Sequence, residues 1–246
     1  PTMMILRSLM RWPLRSAATS LGLALGVAVL VASGFFSSAL DTLIETTFDR
    51  ANRQDAMLLF EPDIPETALT EVARLPGVLH AEGQQYQSAI LRHGHREKDV
   101  AIEGRRPGAD LARIIDADGQ NIDPPPHGLL LSARLADYLR VIPGDLMEVE
   151  LLGGVNETHA IPVAGIVTQY IGLGAYMDLD TLNRLLRQSP RISVANLKID
   201  DMALPDLHKV LKETPELSGL VQIDRMQASF EDTIRQNIVT MTVVYM

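Results

Sequence analysis

The 246-residue chain contains no cysteine. Neither disulfides nor thiolate metal sites hold it together, and thiol usage says nothing about its compartment. Lysine is nearly missing as well. Lys98, Lys198, Lys209 and Lys212 are the only four, and none follows a glycine, which excludes a phosphate-binding P-loop and with it ATP hydrolysis by this chain. There is no Gly-x-Ser-x-Gly elbow to expose a serine nucleophile and no His-Glu-x-x-His helix to hold zinc. An enzyme is therefore not expected, and no catalytic, cofactor-binding or metal-binding residue is assigned. Acidic residues are missing from the first 40 positions, which hold Arg7, Arg11 and Arg15 for a charge of +3. The remainder holds 19 basic and 31 acidic residues, −12 within a total of −9, so the main domain is a poor candidate for nucleic acid.

What is present is one long uncharged run. From Ser16 to Leu40 there are 25 consecutive residues without a charge, bounded by Arg15 and Asp41. About 20 apolar residues cross a hydrocarbon core, so this segment is expected to span a bilayer. Its Gly, Ala and Ser content suits close packing against other membrane helices. With the arginines before the span, the N-terminus is expected inside and the domain outside. A cleaved signal peptide would have an apolar core of only about 7–15 residues, and this one is too long. Arg7, Arg11 and Arg15 share a helical face, with Met3, Leu6, Leu9 and Met10 toward the other and Trp12 and Pro13 after them. That pattern describes a surface helix with a break before the span, or the start of one long tilted helix.

The stripe Leu40, Leu43, Ile44, Thr47, Phe48, Ala51 continues the helical period, predicting one helix from about Thr19 to Asn52. Its length is roughly 50 Å against a core of about 30 Å, leaving a stalk outside. Met226, Phe230, Ile234, Asn237, Met241 and Thr242 form a similar stripe at the other end. The chain begins at Pro1 and stops inside the apolar run Asn237–Met246, so a longer protein with a second, returning span is expected.

Between these ends the sequence repeats itself. A strand at Ala56–Phe60, a helix at Glu66–Leu75 and a strand after Pro76-Gly77-Val78 are matched by Val194–Ile199, a helix at Asp206–Glu213 and a strand at Leu220–Asp224. Two such βαβ units on one sheet predict a ferredoxin-like split βαβ arrangement closed by both ends of the chain. Ser88–Arg92 and Lys98–Glu103 alternate around His93-Gly94-His95 and predict a hairpin in the same sheet or at its edge. The prolines Pro124–Pro126 set off an inserted part. There, a strand at Gly128–Leu131 leads to a helix capped by Ser132 and facing inward through Leu135, Ala136 and Leu139. Strands at Leu146–Leu151 and Ala160–Thr168 follow.

Four smaller features carry alternatives. His93 and His95 share a strand face, but no third ligand stands at metal spacing, and a solvated hairpin tip is expected. Asp116, Asp118 and Asp123 around Gly119 lack the closing glutamate of a calcium loop, and a turn is expected. Gly104-Arg105-Arg106-Pro107 reads as a solvated turn, with docking of an anionic partner or lipid head group as the sharper alternative. The run Tyr170–Met177, rich in large apolar groups on a glycine-rich segment, is assigned to core packing ahead of a partner surface.

Five short motifs recur in order. They are Arg-Trp-Pro-Leu-Arg-Ser (Arg11–Ser16), Leu-Pro-Gly-Val (Leu75–Val78), Pro-Gly-Asp (Pro143–Asp145), Pro-Val-Ala-Gly (Pro162–Gly165) and Ala-Tyr-Met at an expected helix start (Ala175–Met177). Together they resemble the MacB-type periplasmic core domain of FtsX-like ABC transporter permeases, across the whole chain, and in particular the second repeat of long duplicated members. The resemblance implies an α+β chain in which residues 1–15 are a cytoplasmic or interfacial segment and 16–52 a transmembrane and stalk helix. Residues 53–115 and 190–226 then make a discontinuous porter-like subdomain, 116–189 an inserted small mixed α/β sabre-like subdomain, and 227–246 a second stalk and the start of a transmembrane helix.

The resemblance also implies partners and a place. These are a separate cytoplasmic ABC ATPase, a second permease copy or repeat and the lipid bilayer, with a periplasmic partner protein or lipoprotein as a further candidate. The location is the inner membrane, multi-pass in the full protein, with the domain outside. ATP-driven closure would be passed along the stalks to the outer domain, a mechanism called mechanotransmission. Two other classes share this topology in part: the sensor domain of a membrane-bound signalling protein, and a passive anchored binding module. Two or more membrane helices beyond Met246 favour the permease, a kinase or signalling domain there favours the sensor, and a polar continuation favours the module.

Overall fold

The computed structural model describes residues 13–45, 50–153, 157–169, 172–212, 217–229 and 232–233. The expected surface helix with Arg7, Arg11 and Trp12, the stripe residues Thr47 and Phe48, and the returning stripe from Phe230 onward with its second span lie outside them. The described chain divides into two compact units, Pro1–Glu45 and Thr46–Met246.

The first unit is helix α1, Pro13–Ile44, 32 residues and about 48 Å long. Proline is tolerated at its start because the first-turn N–H groups have no helical acceptor. Leu23, Leu30 and Phe35 are at least three-quarters exposed. Among the described residues no helix is long and apolar enough to cross a membrane. The helix expected to reach Asn52 stops sooner. Regular α geometry ends at Ile44, wider turns stand at Glu45 and at Arg50–Ala51, and Asn52 forms an antiparallel bridge with Ala112. Arg53 N–H donates to Leu111 O and Arg113 N–H to Ala51 O, both at 2.7 Å, so the backbone here is committed to the domain rather than to another helical turn.

The second unit begins with strand β1 (Ala56–Pro65), a 3₁₀ turn (Glu66–Ala68), α2 (Leu69–Val72) and β2 (Val78–His93). It closes with β8 (Arg191–Ile199), a 3₁₀ turn (Asp201–Ala203), α5 (Leu204–Lys212) and β9 (Leu217–Gln222). These four strands stand in the order β9-β1-β8-β2 with every neighbour antiparallel, which is the ferredoxin-like split βαβ order. The first crossover is shorter than the Glu66–Leu75 helix expected. Pro76 and Gly77 stop it, and Gly77, at φ +77°, lies so near the second crossover that an added Cβ would sit 2.4 Å from that of Ala203. Leu58, Val72, Leu197 and Leu207 are buried beneath the crossovers.

β2 runs unbroken for 16 residues, where two separate strands were expected. Its first part pairs with β8 and its last part with β5, and from Gln85 onward it also pairs with β3 (Arg96–Arg105) through the Gly94-His95 turn. The other strands are β4 (Leu129–Ser132), β5 (Leu146–Leu151), β6 (Thr158–Val167) and β7 (Ala175–Asp178), with α3 (Ala133–Leu139) and α4 (Leu179–Leu185) between. The pairings β2-β3-β7-β4-β6-β5 return to β2, so these six strands close into a small barrel. Closure leaves no free edge. Leu91, Ile102, Leu131, Met147, Val149 and Met177 fill it, and Leu135 and Leu139 of α3 pack onto the same core. The strands expected to make a unit over 116–189 are not self-sufficient, because the barrel is completed by β2 and β3 from the 53–115 segment.

Two local expectations change. Ala175–Met177 is a strand, not a helix start: β7 pairs with β3 and β4, and the helix begins at Leu179 after Asp178, whose carboxylate accepts from Thr181 N–H at 2.9 Å. Ser132 occupies the N-cap position of α3, but its side chain makes no capping bond. Its own N–H donates to Gly174 O at 2.9 Å, which keeps the residue in β4.

Candidate functional site

The place where the chain enters and leaves the second unit is clamped by one carboxylate. Asp55 accepts from Lys198 Nζ at 2.5 Å and from the Ile199 N–H at 2.7 Å, while its own backbone N–H donates to Leu197 O and its carbonyl accepts from Ile223 N–H, each at 2.9 Å. The incoming residue, the inner strand β8 and the outgoing segment therefore meet on a single residue. Beside it, Arg53 pairs with Asp110 at 2.6 Å, and Arg113 pairs with the same carboxylate. The hydrogen bond from Arg113 holds Asp110 below the usual carboxylate range.

A second cluster ties the split βαβ part to the barrel. The Arg106 guanidinium is bidentate to Glu66, at 2.6 Å twice, and also grips Asp180 at 2.9 and 3.0 Å. Glu66 begins the first crossover and Asp180 stands in the first turn of α4, so one side chain bridges both parts. The bond to Glu66, then that to Asp180, raises the Arg106 pKa, and Arg106 in turn lowers that of Asp180. Arg105 turns inward to Glu103 and lies 5.3 Å from the centre of the Tyr176 ring. Glu103 also accepts from Gln84 at 3.0 Å, Gln84 from Asn196 at 3.0 Å, and Asp63 from Gln85 at 2.7 Å. Gln84, Gln85 and Asn196 are buried, and such a network is rigid while its partners are in place.

In the Gly104–Pro107 run, expected as a solvated turn, both guanidiniums are held by carboxylates of the fold. Arg105 is taken by Glu103 two residues before it, and Arg106 by carboxylates 40 and 74 residues away, a pairing with no local signal in the sequence. Gln84 and Gln85 inside β2 and Asn196 inside the apolar run of β8 are the traces the buried network leaves in the sequence.

The remaining candidates are dispersed. His93 Nδ1 lies 3.3 Å from Leu139 O, and His95 is exposed on the turn. The Asp116 carboxylate accepts from the N–H groups of Asp118 and Gln120 at 3.0 and 2.7 Å, the geometry of a turn. Among the described residues no three His, Asp or Glu side chains group for a metal. Tyr176 and Met177 are buried and Leu173 is partly exposed, while Tyr170 and Ile171 lie outside the described residues. Burial, then the Glu103 charge, pushes the Tyr86 phenol up to about 12. The contacts of this arrangement join elements of the fold.

The model of the MacB-like periplasmic core domain matches residues 16–209. The chain belongs to that family. The order of motifs pointed to the same place, the periplasmic core domain of FtsX-like ABC transporter permeases. Two solved structures similar to this MacB-like chain are the periplasmic region of MacB from Actinobacillus actinomycetemcomitans and the extracellular domain of the noncanonic ABC-type transporter YknZ from Gram-positive bacteria. The first is 14% identical, covering 74% of this chain and 95% of its own, with a TM-score of 0.43. The second is 13% identical, covering 62% and 88%, with a TM-score of 0.42. None of the curated proteins matches.

Proposed function

We propose that this chain is the moving extracytoplasmic part of an ABC transporter permease, driven by ATP hydrolysis in a separate cytoplasmic ATPase and working with a second permease copy or repeat. The uncharged run from Ser16 to Leu40 crosses the inner membrane, and the full protein crosses it more than once. The porter-like and sabre-like parts respond together when the ends of the domain are moved, and a substrate is handled at the outer face. The chain itself performs no covalent chemistry.

The observation that carries this reading is the Asp55 clamp. A soluble binding domain on a slack tether has no need for its incoming residue, an inner strand and its outgoing segment to share one carboxylate and two backbone bonds. A lever does, because displacement at either end is then delivered to β8, and through β2 to the barrel.

Residues 1–246 contain no cysteine, so two can be introduced without a competing thiol in this part. Thr47→Cys and Phe230→Cys, cross-linked in a full permease freed of any cysteine outside residues 1–246, are expected to abolish transport-coupled ATP turnover while the outer domain keeps its thermal transition. Full turnover in the cross-linked protein overturns transmission through these segments.

A further inference from the structure

A cleft of about 380 Å³ lies at the end of α4 opposite the Arg106 cluster, within the size range of small-molecule sites. One wall is Asp63 of β1 with Gln87 of β2, and another is the β5–β6 hairpin at Leu152 and Glu157. The connection from α4 to β8 closes it at Leu185–Gln188. Leu152, Leu185 and Leu186 are half-buried and give it apolar surface. The split βαβ part and the barrel both contribute side chains, so an occupant touches each.

Three oxygens of this lining are left over by the bonds around them. Gln87 Nε2 donates to Ser88 O at 3.0 Å and to Leu152 O, and a carbonyl takes only a donor, so the amide oxygen is the free end. Gln188 Nε2 donates at 2.9 Å to Asn183 Oδ1, which also accepts from Arg191 N–H, while Asn183 Nδ2 donates to Leu179 O. The Gln188 oxygen is again the free end. Asp63 receives Gln85 on Oδ2 alone, at 2.7 Å. None of the three oxygens has a partner among the described residues, and unlike the enclosed oxygen of Gln85 each stays within reach of solvent. Arg187 supplies the donors. Its side chain is 76% exposed and commits Nη1 to Glu157 at 3.1 Å, leaving the rest of the guanidinium open. The charged side chains of the lining are Asp63, Glu157 and Arg187; Arg191 joins them through Asp63 O, and His159 stands 3.5 Å behind Glu157. Two carboxylates against two guanidiniums suit a ligand with one charge of each sign and no net charge.

We propose that this cleft binds a free amino acid with an apolar side chain. The ammonium lies on Asp63 with the Gln87 and Gln188 oxygens, the carboxylate on Arg187, and the side chain over Leu152, Leu185 and Leu186. Binding is read without ATP, so it and force transmission can fail separately.

The probe is 4-fluorophenylalanine, followed by fluorine NMR on the full chain in detergent. The controls are its N-acetyl derivative, which lacks the ammonium, and its primary amide, which lacks the carboxylate. Saturable binding of the amino acid is expected, with each control at least about tenfold weaker, the scale of a charge-assisted pair. Arg187→Gln, at an exposed position, is expected to bring the amino acid and its amide to equal binding while the N-acetyl derivative stays weaker. Leu152→Trp fills the cleft and is expected to abolish binding with the thermal transition retained; should that transition be lost, Arg187→Gln decides. Equal binding of the three compounds, an unchanged preference in Arg187→Gln, unchanged binding in a folded Leu152→Trp, or no saturable binding of the amino acid overturns the proposal.

Discussion

Lys198 sits on the Asp55 carboxylate at 2.5 Å, joining positions 143 residues apart. The neighbouring Ile199 N–H shares that carboxylate, and the two partners are not equivalent. Lys198 is 47% exposed and keeps water as an alternative, whereas the N–H is a backbone donor with no second acceptor in the strand ladder.

Asp55→Ala is therefore expected to destabilise the domain by about 1–3 kcal/mol, the cost of stranding a largely buried donor. Lys198→Ala is expected to cost about 0–1 kcal/mol after allowing for screening. Thermal or denaturant unfolding of both variants measures the difference, and equal losses contradict the clamp.

Arg106→Ala separates the two parts without touching either core. Because Arg106 is 42% exposed, the expected loss is only roughly 1 kcal/mol, while the two parts gain freedom that hydrogen exchange at Glu66 and Asp180 reports. The pH dependence carries a sign. The hydrogen bond from Arg106 depresses the Asp180 pKa, so its stabilisation is complete above the usual value of about 4 and is lost as pH falls through the lower folded value. Acid unfolding is expected to begin at a higher pH in Arg106→Ala.

At the alkaline end the direction reverses. The Tyr86 phenol is raised to about 12, against about 10 in the unfolded chain, so its contribution is complete below pH 10 and is lost as pH rises toward 12. Ultraviolet titration is expected to show a late phenolate component that Tyr86→Phe removes.

Gly128 precedes β4 at φ +84°, and an added Cβ would lie 2.5 Å from Pro162 O. Gly128→Ala forces the β4–β6 pairing apart and is expected to cost more than about 1 kcal/mol. Leu131→Ala, deep in the barrel, is expected to cost about 2–5 kcal/mol. Denaturant titration checks both.

Local pattern was enough for much of this. Alternation located β5, the β2–β3 hairpin and the buried face Leu135, Ala136, Leu139, because strand and helix periods are written residue by residue. The repeat of strand, crossover and strand at the two ends was legible for the same reason, and it led to the split βαβ order. Motif order brought the family into view.

Long-range closure was not legible. That β2 is one strand serving two structures, that six strands meet in a ring, and that Ala175–Met177 pairs as a strand depend on partners distant in sequence. Arg105 and Arg106 show the limit most clearly. In the sequence they are two adjacent cations after a strand, and their neighbours fit a solvated turn. Glu103 is two residues before Arg105 on the same strand face, but only folding brings Glu66 and Asp180 to Arg106, because an ion pair is set by distance in space, and no local period encodes a separation of 40 or 74 residues.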